Sequence, residues 1–258
     1  MAPNDPGQPS LTPGDSPAAM TRQRDVPASA LAIGAHPDDV EFGAGGTLAK
    51  WAAAGCVVHH LICTDGSKGT WDPSADLTAL VARRHDEQRE AARRLAGEQA
   101  GEVRFIDRVD GDLGSDRATC SEVARVIREL RPEVVLGHDP WKRYRLHPDH
   151  RHAGWLTCDA VVAARDPHFF PEHGLPHHRP AALWLFEADA PTHVEDVTAF
   201  VDYKLAALEA HESQFESTMH AADASELDAF RTKIRARLAE LGAPHGLLAA
   251  EVFAVIDP

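Results

Sequence analysis

Ala30-Leu31-Ala32-Ile33-Gly34-Ala35-His36-Pro37-Asp38-Asp39-Val40-Glu41-Phe42-Gly43 begins as an apolar run and ends in a turn crowded with ionisable groups. The run Ala30–Ala35 predicts a strand, and apolar runs like it recur along the chain at Val57–Thr64, Val103–Ile106, Glu133–Gly137, Ala182–Glu187 and Val252–Ile256. Helical patterns lie between them: Gly45–Ala54, Leu77–Leu95, Arg117–Leu130, Asp149–Ala164, Val197–His211 and Ala224–Leu241. Leu77–Leu95 sets Leu77, Leu80, Val81, Ala91, Ala92 and Leu95 among charged residues, an amphipathic surface helix. Strand–helix alternation of this kind implies an α/β domain built on a doubly wound, Rossmann-like, mostly parallel sheet with helices on both faces. No internal repeat interrupts it. In such a sheet ligands bind outside the carboxyl ends of the strands where strand order reverses, which directs attention to the loops after the first and fourth strands.

The 258 residues suit one large domain, expected over 28–258, and suffice for a substantial core. Residues 1–27 are rich in Pro, Gly, Ser and Asp, cannot repay ordering entropy, and read as a flexible tail; Met20 is an alternative start. A formal charge of −14 argues against a nucleic-acid partner, because phosphate neutralisation needs clustered Lys and Arg. No apolar stretch reaches the ~20 residues of a membrane span, and the N-terminus lacks a signal-peptide pattern. The four cysteines, Cys56, Cys63, Cys120 and Cys158, show no C-x-x-C spacing, so a reducing, cytoplasmic setting without disulfides is expected. Sixteen histidines are many for this length, but His173, His177 and His178 fall in a Pro-rich loop, so position must decide which matter.

At the end of the first strand, three ionisable groups in four residues would be poor structure for its own sake, since buried carboxylates are costly unless paired or bound to a cation. Imidazole and carboxylate together suit zinc. Pro37 fixes one φ, so a tight turn can aim His36 and Asp39 at one point. Asp38 then faces away from its neighbour and is free to act as a base on metal-bound water. Two rival readings exist: the paired acids cap the following helix, or Gly43, Gly45 and Gly46 form a phosphate-binding turn. The glycine spacing is not G-x-G-x-x-G, and two acids would repel a phosphate.

The fourth strand leads into His138-Asp139-Pro140-Trp141-Lys142-Arg143-Tyr144-Arg145-Leu146-His147-Pro148-Asp149-His150, where His-Pro-Asp repeats. A helix starting near Asp149 puts His150 in its first turn and His147 just before it. A catalytic zinc wants three protein ligands and a water, and His36, Asp39 and His150 supply that set. His147 becomes a supporting or catalytic histidine oriented by Asp149. His59, His60 and His85 read as strand, packing and helix-surface residues; His138 stands near the site without an assigned role.

These two clusters are the residues by which the chain resembles the LmbE-like, or PIG-L, de-N-acetylases. Ala35-His36-Pro37-Asp38-Asp39-Val40-Glu41 is similar to that family's first motif and His147-Pro148-Asp149-His150 to its second, with similarity running from about Ala30 to His211-Glu212-Ser213-Gln214. The resemblance implies a zinc-dependent hydrolase of linear amides that removes acetyl from an N-acetylated amino sugar such as an N-acetylglucosaminide. It implies zinc on His36, Asp39 and His150, Asp38 as general base, and His147 as general acid or oxyanion stabiliser. Thr64-Asp65-Gly66-Ser67-Lys68-Gly69-Thr70 resembles the family's loop after the second strand, with Ser67 where an acid is commoner. Arg84 matches an arginine that contacts sugar hydroxyls in relatives, and Asp110 matches a substrate-binding acid. Some relatives carry a mobile tyrosine two residues before the first histidine of the second motif; here Arg145 stands there, with Tyr144 adjacent.

Three other readings stay open from the sequence. The first keeps zinc hydrolysis and moves the target to another amide, such as a thiol-conjugate. A nucleotide-binding α/β regulator would use the acids for magnesium, and a carbohydrate-binding module would have no use for a base at Asp38. Substrate contacts are expected from the loops Gly66–Asp76, Asp139–Leu146 and Asp166–Pro180, with Trp71 and Trp141 as sugar-stacking candidates. The partner is expected to be a small amino-sugar conjugate, and a homo-oligomer is left open.

Overall fold

The structure, a computed structural model, describes residues 20–22 and 24–258. Seven strands form one sheet: β1 (Ser29–Gly34), β2 (Val57–Thr64), β3 (Ala100–Arg108), β4 (Val134–His138), β5 (Ala182–Phe186), β6 (His193–Asp196) and β7 (Ala250–Ile256), in the order β3-β2-β1-β4-β5-β7-β6. Strands β1 to β5 pair in parallel, while β7 runs antiparallel to both β5 and β6. The six helices are α1 (Asp39–Ala53), α2 (Leu77–Ala96), α3 (Arg117–Leu130), α4 (Pro148–Arg165), α5 (Val201–Leu208) and α6 (Ala224–Gly242). This is the expected doubly wound α/β arrangement.

Period-2 alternation along β1 explains why both faces are covered. Ala30 and Ala32 join the core under α1, α2 and α5, where Trp51 meets Trp184 edge-on, whereas Leu31 and Ile33 join the core under α3 and α4. The chain winds from β1 outward to β3, then crosses back to β4 on the other side of β1. The loops leaving β1 and β4 therefore diverge and open a crevice at their carboxyl ends, as the switch-point rule requires. Asp76, Asp116 and Asp223 start α2, α3 and α6, each accepting two free amides of its helix.

Three sequence expectations differ in extent. Helix α1 begins at Asp39, not Gly45, because Gly43 and Gly46 are packing positions inside it and not breakers. A Cβ on Gly43 would sit 2.4 Å from Phe186 Cδ2, and one on Gly46 would sit 2.8 Å from Val197 Cβ. Gly43→Ala is thus expected to destabilise the fold by about 1–3 kcal/mol through overpacking. Chemical denaturation checks this, and an unchanged midpoint would overturn it. The second difference is the edge strand β6, too short and polar to stand out. The third is α5, which spans only Val201–Leu208 between two 3₁₀ turns.

Of the expected tail 1–27, residues 1–19 and 23 lie outside the described residues. Thr21 bridges His193 in parallel, its amide donating to Thr192 O at 3.0 Å. All four cysteines are unpaired, and among the described residues no helix is long and apolar enough to cross a membrane.

Candidate metal centre and active site

Four residues separate the end of β1 from α1, and the turn they form is strained. Asp38 has φ 104°, ψ −26°, a conformation that costs a non-glycine residue roughly 1–3 kcal/mol and persists only when its surroundings impose it. Two side chains from α2 do so. Gln88 Oε1 accepts the Asp38 amide at 3.0 Å, and Arg84 donates to Pro37 O at 2.7 Å and to Gly66 O at 2.8 Å. The helix-cap reading of the paired acids fails here. Asp38 makes no side-chain cap bond, and Asp39 turns back to accept the His36 amide at 2.8 Å.

The geometry joins the ends of β1 and β4 as the sequence predicted. His36 Nδ1 lies 3.4 Å from Asp39 Oδ2, His150 Nε2 lies 3.3 Å from His36 Nδ1, and His150 Nε2 lies 3.2 Å from Asp39 Oδ1. Ligand atoms about 2.0–2.1 Å from a tetrahedral zinc stand roughly 3.3–3.4 Å apart, and the two imidazoles have that separation, each with a different oxygen of Asp39 at a similar distance. Other groupings overlap this one: His36 with His147 and His150, Asp39 with His138 and His150, and His36 with Asp110 and Asp149 each bring ligand atoms within 4.8 Å of one another. Their outer members, apart from His147, are engaged elsewhere, which favours the trio of His36, Asp39 and His150.

The engagement is specific. His36 Nε2 faces Asp149 Oδ2 at 3.1 Å and Asp110 Oδ1 at 3.2 Å, so the ring proton belongs on Nε2 and the Nδ1 lone pair is turned toward the centre. Asp149 thus supports His36, a correction to the expectation that it orients His147. The reason is positional: His147 is the N-cap of α4, half out of the helix, while Asp149 sits inside the first turn and is fully buried, accepting the Gly111 amide at 2.6 Å. Asp110 has the same partner, with its other oxygen accepting the Lys68 amide at 3.1 Å, and it borders the cavity.

His138 is the residue whose role sequence reasoning did not find. Arg145 Nη1 donates to its Nδ1 at 2.8 Å, which leaves the Nε2 proton to point at Asp39 Oδ2, 3.2 Å away. Its ring also stacks on His150 at 4.6 Å. Its place at the end of β4, on the switch point, was the available signal. Arg145 is buried and completes this support through Glu187 at 2.9 Å, and Tyr144 is 88% exposed.

The electrostatics suit a cation. Burial alone would depress His36, but Asp110, Asp149 and Asp39 hold its imidazole well above the ordinary value. Burial likewise opposes the charge on His150, and Asp39 raises it. Burial would raise Asp39, yet His150 and His138 keep its carboxyl well below the usual range. The carboxylates thus draw positive charge into the centre, which a divalent ion supplies while displacing protons.

Asp38 differs from its neighbour. Burial pushes its carboxyl up to about 6, against the pull of Arg84 3.5 Å away. His147 is exposed to the cavity, its ring edge-on to His36 at 4.7 Å and stacked on His150 at 4.9 Å; burial and these two rings lower its pKa. Arg84, expected at the substrate, borders the cavity but spends two donors bracing the turn. A cavity of about 920 Å³ contains the site, and both Gly66–Asp76 and Asp139–Leu146 contribute to its wall through Lys68 and Lys142. The Asp166–Pro180 loop does not reach it. That loop precedes β5 and so lies at the amino-terminal ends of the parallel strands, opposite the site, where Arg128 donates to Phe169 O and Phe170 O. Trp71 and Trp141 are exposed but do not line the cavity; Trp141 packs edge-on against Trp155.

Residues 31–161 match the GlcNAc-PI de-N-acetylase (PIG-L) family. Diacetylchitobiose deacetylase of Thermococcus kodakarensis is 38% identical over 72% of this chain and 69% of its own length. A 1D-myo-inositol 2-acetamido-2-deoxy-alpha-D-glucopyranoside deacetylase of Saccharopolyspora erythraea is 33% identical over 71% and 82%. Among solved structures, N,N'-diacetylchitobiose deacetylase of Pyrococcus horikoshii superposes with TM-score 0.81 at 28% identity, covering 90% of this chain and 84% of that one. The 4-carboxy-2-hydroxymuconate hydratase GalB of Pseudomonas putida matches at TM-score 0.72 with 24% identity, which shows a shared fold and no more. The chain belongs to the GlcNAc-PI de-N-acetylase (PIG-L) family, and the two curated relatives named above are deacetylases.

Proposed function

We propose that this protein hydrolyses the acetamide of an N-acetylated amino sugar, an N-acetylglucosamine-containing conjugate, and releases acetate, with Zn²⁺ held by His36, Asp39 and His150. The observation that carries this reading is the 3.2–3.4 Å spacing of those three ligand groups beside a buried carboxyl at about 6. Zinc, when bound, polarises the acetamide carbonyl and brings the pKa of its water toward ~7.

The chain's own residues supply the rest. Asp38, ionised, accepts the proton of the attacking water through its carboxylate. Its raised pKa makes it a stronger base than a surface Asp, and a better proton carrier to the departing amine. His147 donates a hydrogen bond from its ring N–H to the developing oxyanion, which a neutral imidazole can do. Asp149 and Asp110 hold the His36 ring through Nε2, and His138 holds Asp39. Deacetylase relatives that act on diacetylchitobiose and on a 2-acetamido-glucopyranoside support the amino-sugar class.

The test joins elemental analysis with acetate release from a panel of N-acetylglucosaminides, an N-acetylglucosaminyl inositol and an acylated thiol-conjugate. About one zinc per chain and acetate from a glucosaminide are expected. Release of a larger acyl group alone would move the assignment to a different amide, and turnover of none of them would end it.

A further inference from the structure

A cluster of polar side chains behind the site makes no contact with the cavity. Glu41, His60, Gln88 and His211 are each fully buried, although they come from α1, β2, α2 and the turn after α5. Gln88 links them. Its Nε2 donates to Glu41 Oε1 at 2.8 Å and lies 3.1 Å from His60 Nδ1, while its Oε1 accepts the Asp38 amide at 3.0 Å. His211 Nε2 stands 3.5 Å from the second oxygen of Glu41. A glutamine amide has two ends and two kinds of bond. Here the donor end is anchored in the core and the acceptor end grips the one backbone amide of the turn that lies at positive φ.

We propose that Gln88 is a positioning residue for the hydrolytic reaction, holding Asp38 in its left-handed backbone conformation so that its carboxylate faces the cavity. Relaxed to negative φ, residue 38 would swing its side chain off that line, and small errors in the placement of a base carry large rate penalties. The anchor is matched to the task. Glu41 and His60 fix the rotation of the amide, so that its oxygen and not its nitrogen meets Asp38, and their burial keeps water from competing for that amide. Gln88 touches none of His36, Asp39 or His150, so its loss acts on the base alone. This rests on Asp38 being the base, as proposed above.

The measurement uses purified, zinc-loaded Gln88→Met, which removes the acceptor at nearly constant volume, beside Gln88→Glu, which keeps an oxygen for the Asp38 amide. Gln88→Met is expected to lower kcat by about 30-fold, with KM within about 3-fold and zinc content at the wild-type level. Gln88→Glu, protonated beside the Glu41 carboxylate so that its hydroxyl replaces the amide donor, is expected to recover most of that kcat. If Gln88→Met does not fold, Gln88→Asn takes its place, since it withdraws the amide by one methylene. Unchanged kcat in the acceptor-less variant overturns the proposal, as does an equal loss in both variants that follows their melting temperatures. Asp38→Ala is assayed alongside. An active Asp38→Ala sinks the base assignment itself, whereas an inactive Asp38→Ala with a fully active Gln88→Met sinks only the positioning role.

Discussion

Asp38→Asn is expected to cut kcat about 10³-fold while zinc content and KM stay near wild type. The substitution keeps the shape of a side chain that is 5% exposed, and the amide cannot accept a proton from the attacking water. General bases contribute typically 10²–10⁴-fold, and no neighbouring carboxylate stands ready to take over. Asp39 is engaged by His138 and His150, and Asp110 and Asp149 by His36. The pH profile gives a second, independent reading. Burial raises the Asp38 carboxyl to about 6, and the ionised form is the active one. The wild-type kcat/KM therefore falls as pH drops through that region, and a cation held beside Asp38 draws the limb lower still. The residual activity of Asp38→Asn should lack this limb. A variant that keeps both the limb and more than a tenth of the activity would remove Asp38 from the mechanism.

What could be read from the sequence divides along the range of the interactions involved. Strands β1 to β5 and helices α2 to α4 and α6 were legible because their apolar periodicity is local and strong. The approach of His36, Asp39 and His150 was legible because each cluster sits directly at the end of a strand, and the switch-point rule brings those two strands together without further information. The partners of these residues were not. Nothing in Asp149-His150 says that the first turn of α4 sends Asp149 to His36 across the crevice and leaves His147 outside. His138 looked like one histidine among sixteen until Arg145 was seen to fix its tautomer. The start of α1 was placed six residues late because a sequence shows the missing side chain of Gly43 but not Phe186, which fills its place. The Asp166–Pro180 loop was misjudged as a substrate loop; its position before β5 already placed it at the amino-terminal ends of the parallel strands, away from the site.

Asp39→Ala is expected to reduce bound zinc from about one per chain to near none and activity by at least about 10⁴-fold. Polarisation of the carbonyl is worth several kcal/mol of barrier, each 1.36 kcal/mol being tenfold in rate, and the activated water is lost with it. The choice of Asp39 over His150 follows from what each touches. Asp39 is the only carboxylate in the trio, accepts the His36 backbone amide, and has His138 Nε2 and His150 Nε2 each 3.2 Å from its oxygens. Its removal leaves a centre of imidazoles facing a cation without a compensating negative charge, whereas His150→Ala leaves the carboxylate and His36 in place and should retain weak, pH-dependent zinc binding. Melting curves separate a lost site from a damaged fold. Binding to the native state alone stabilises by RT ln(1 + [L]/Kd), so added zinc should raise the melting temperature of the metal-stripped wild type, raise that of His150→Ala only at high concentration, and leave that of Asp39→Ala unmoved. A zinc-dependent rise in Asp39→Ala equal to that of the wild type would place the ion on other side chains, with His36, His147 and His150 the first to examine.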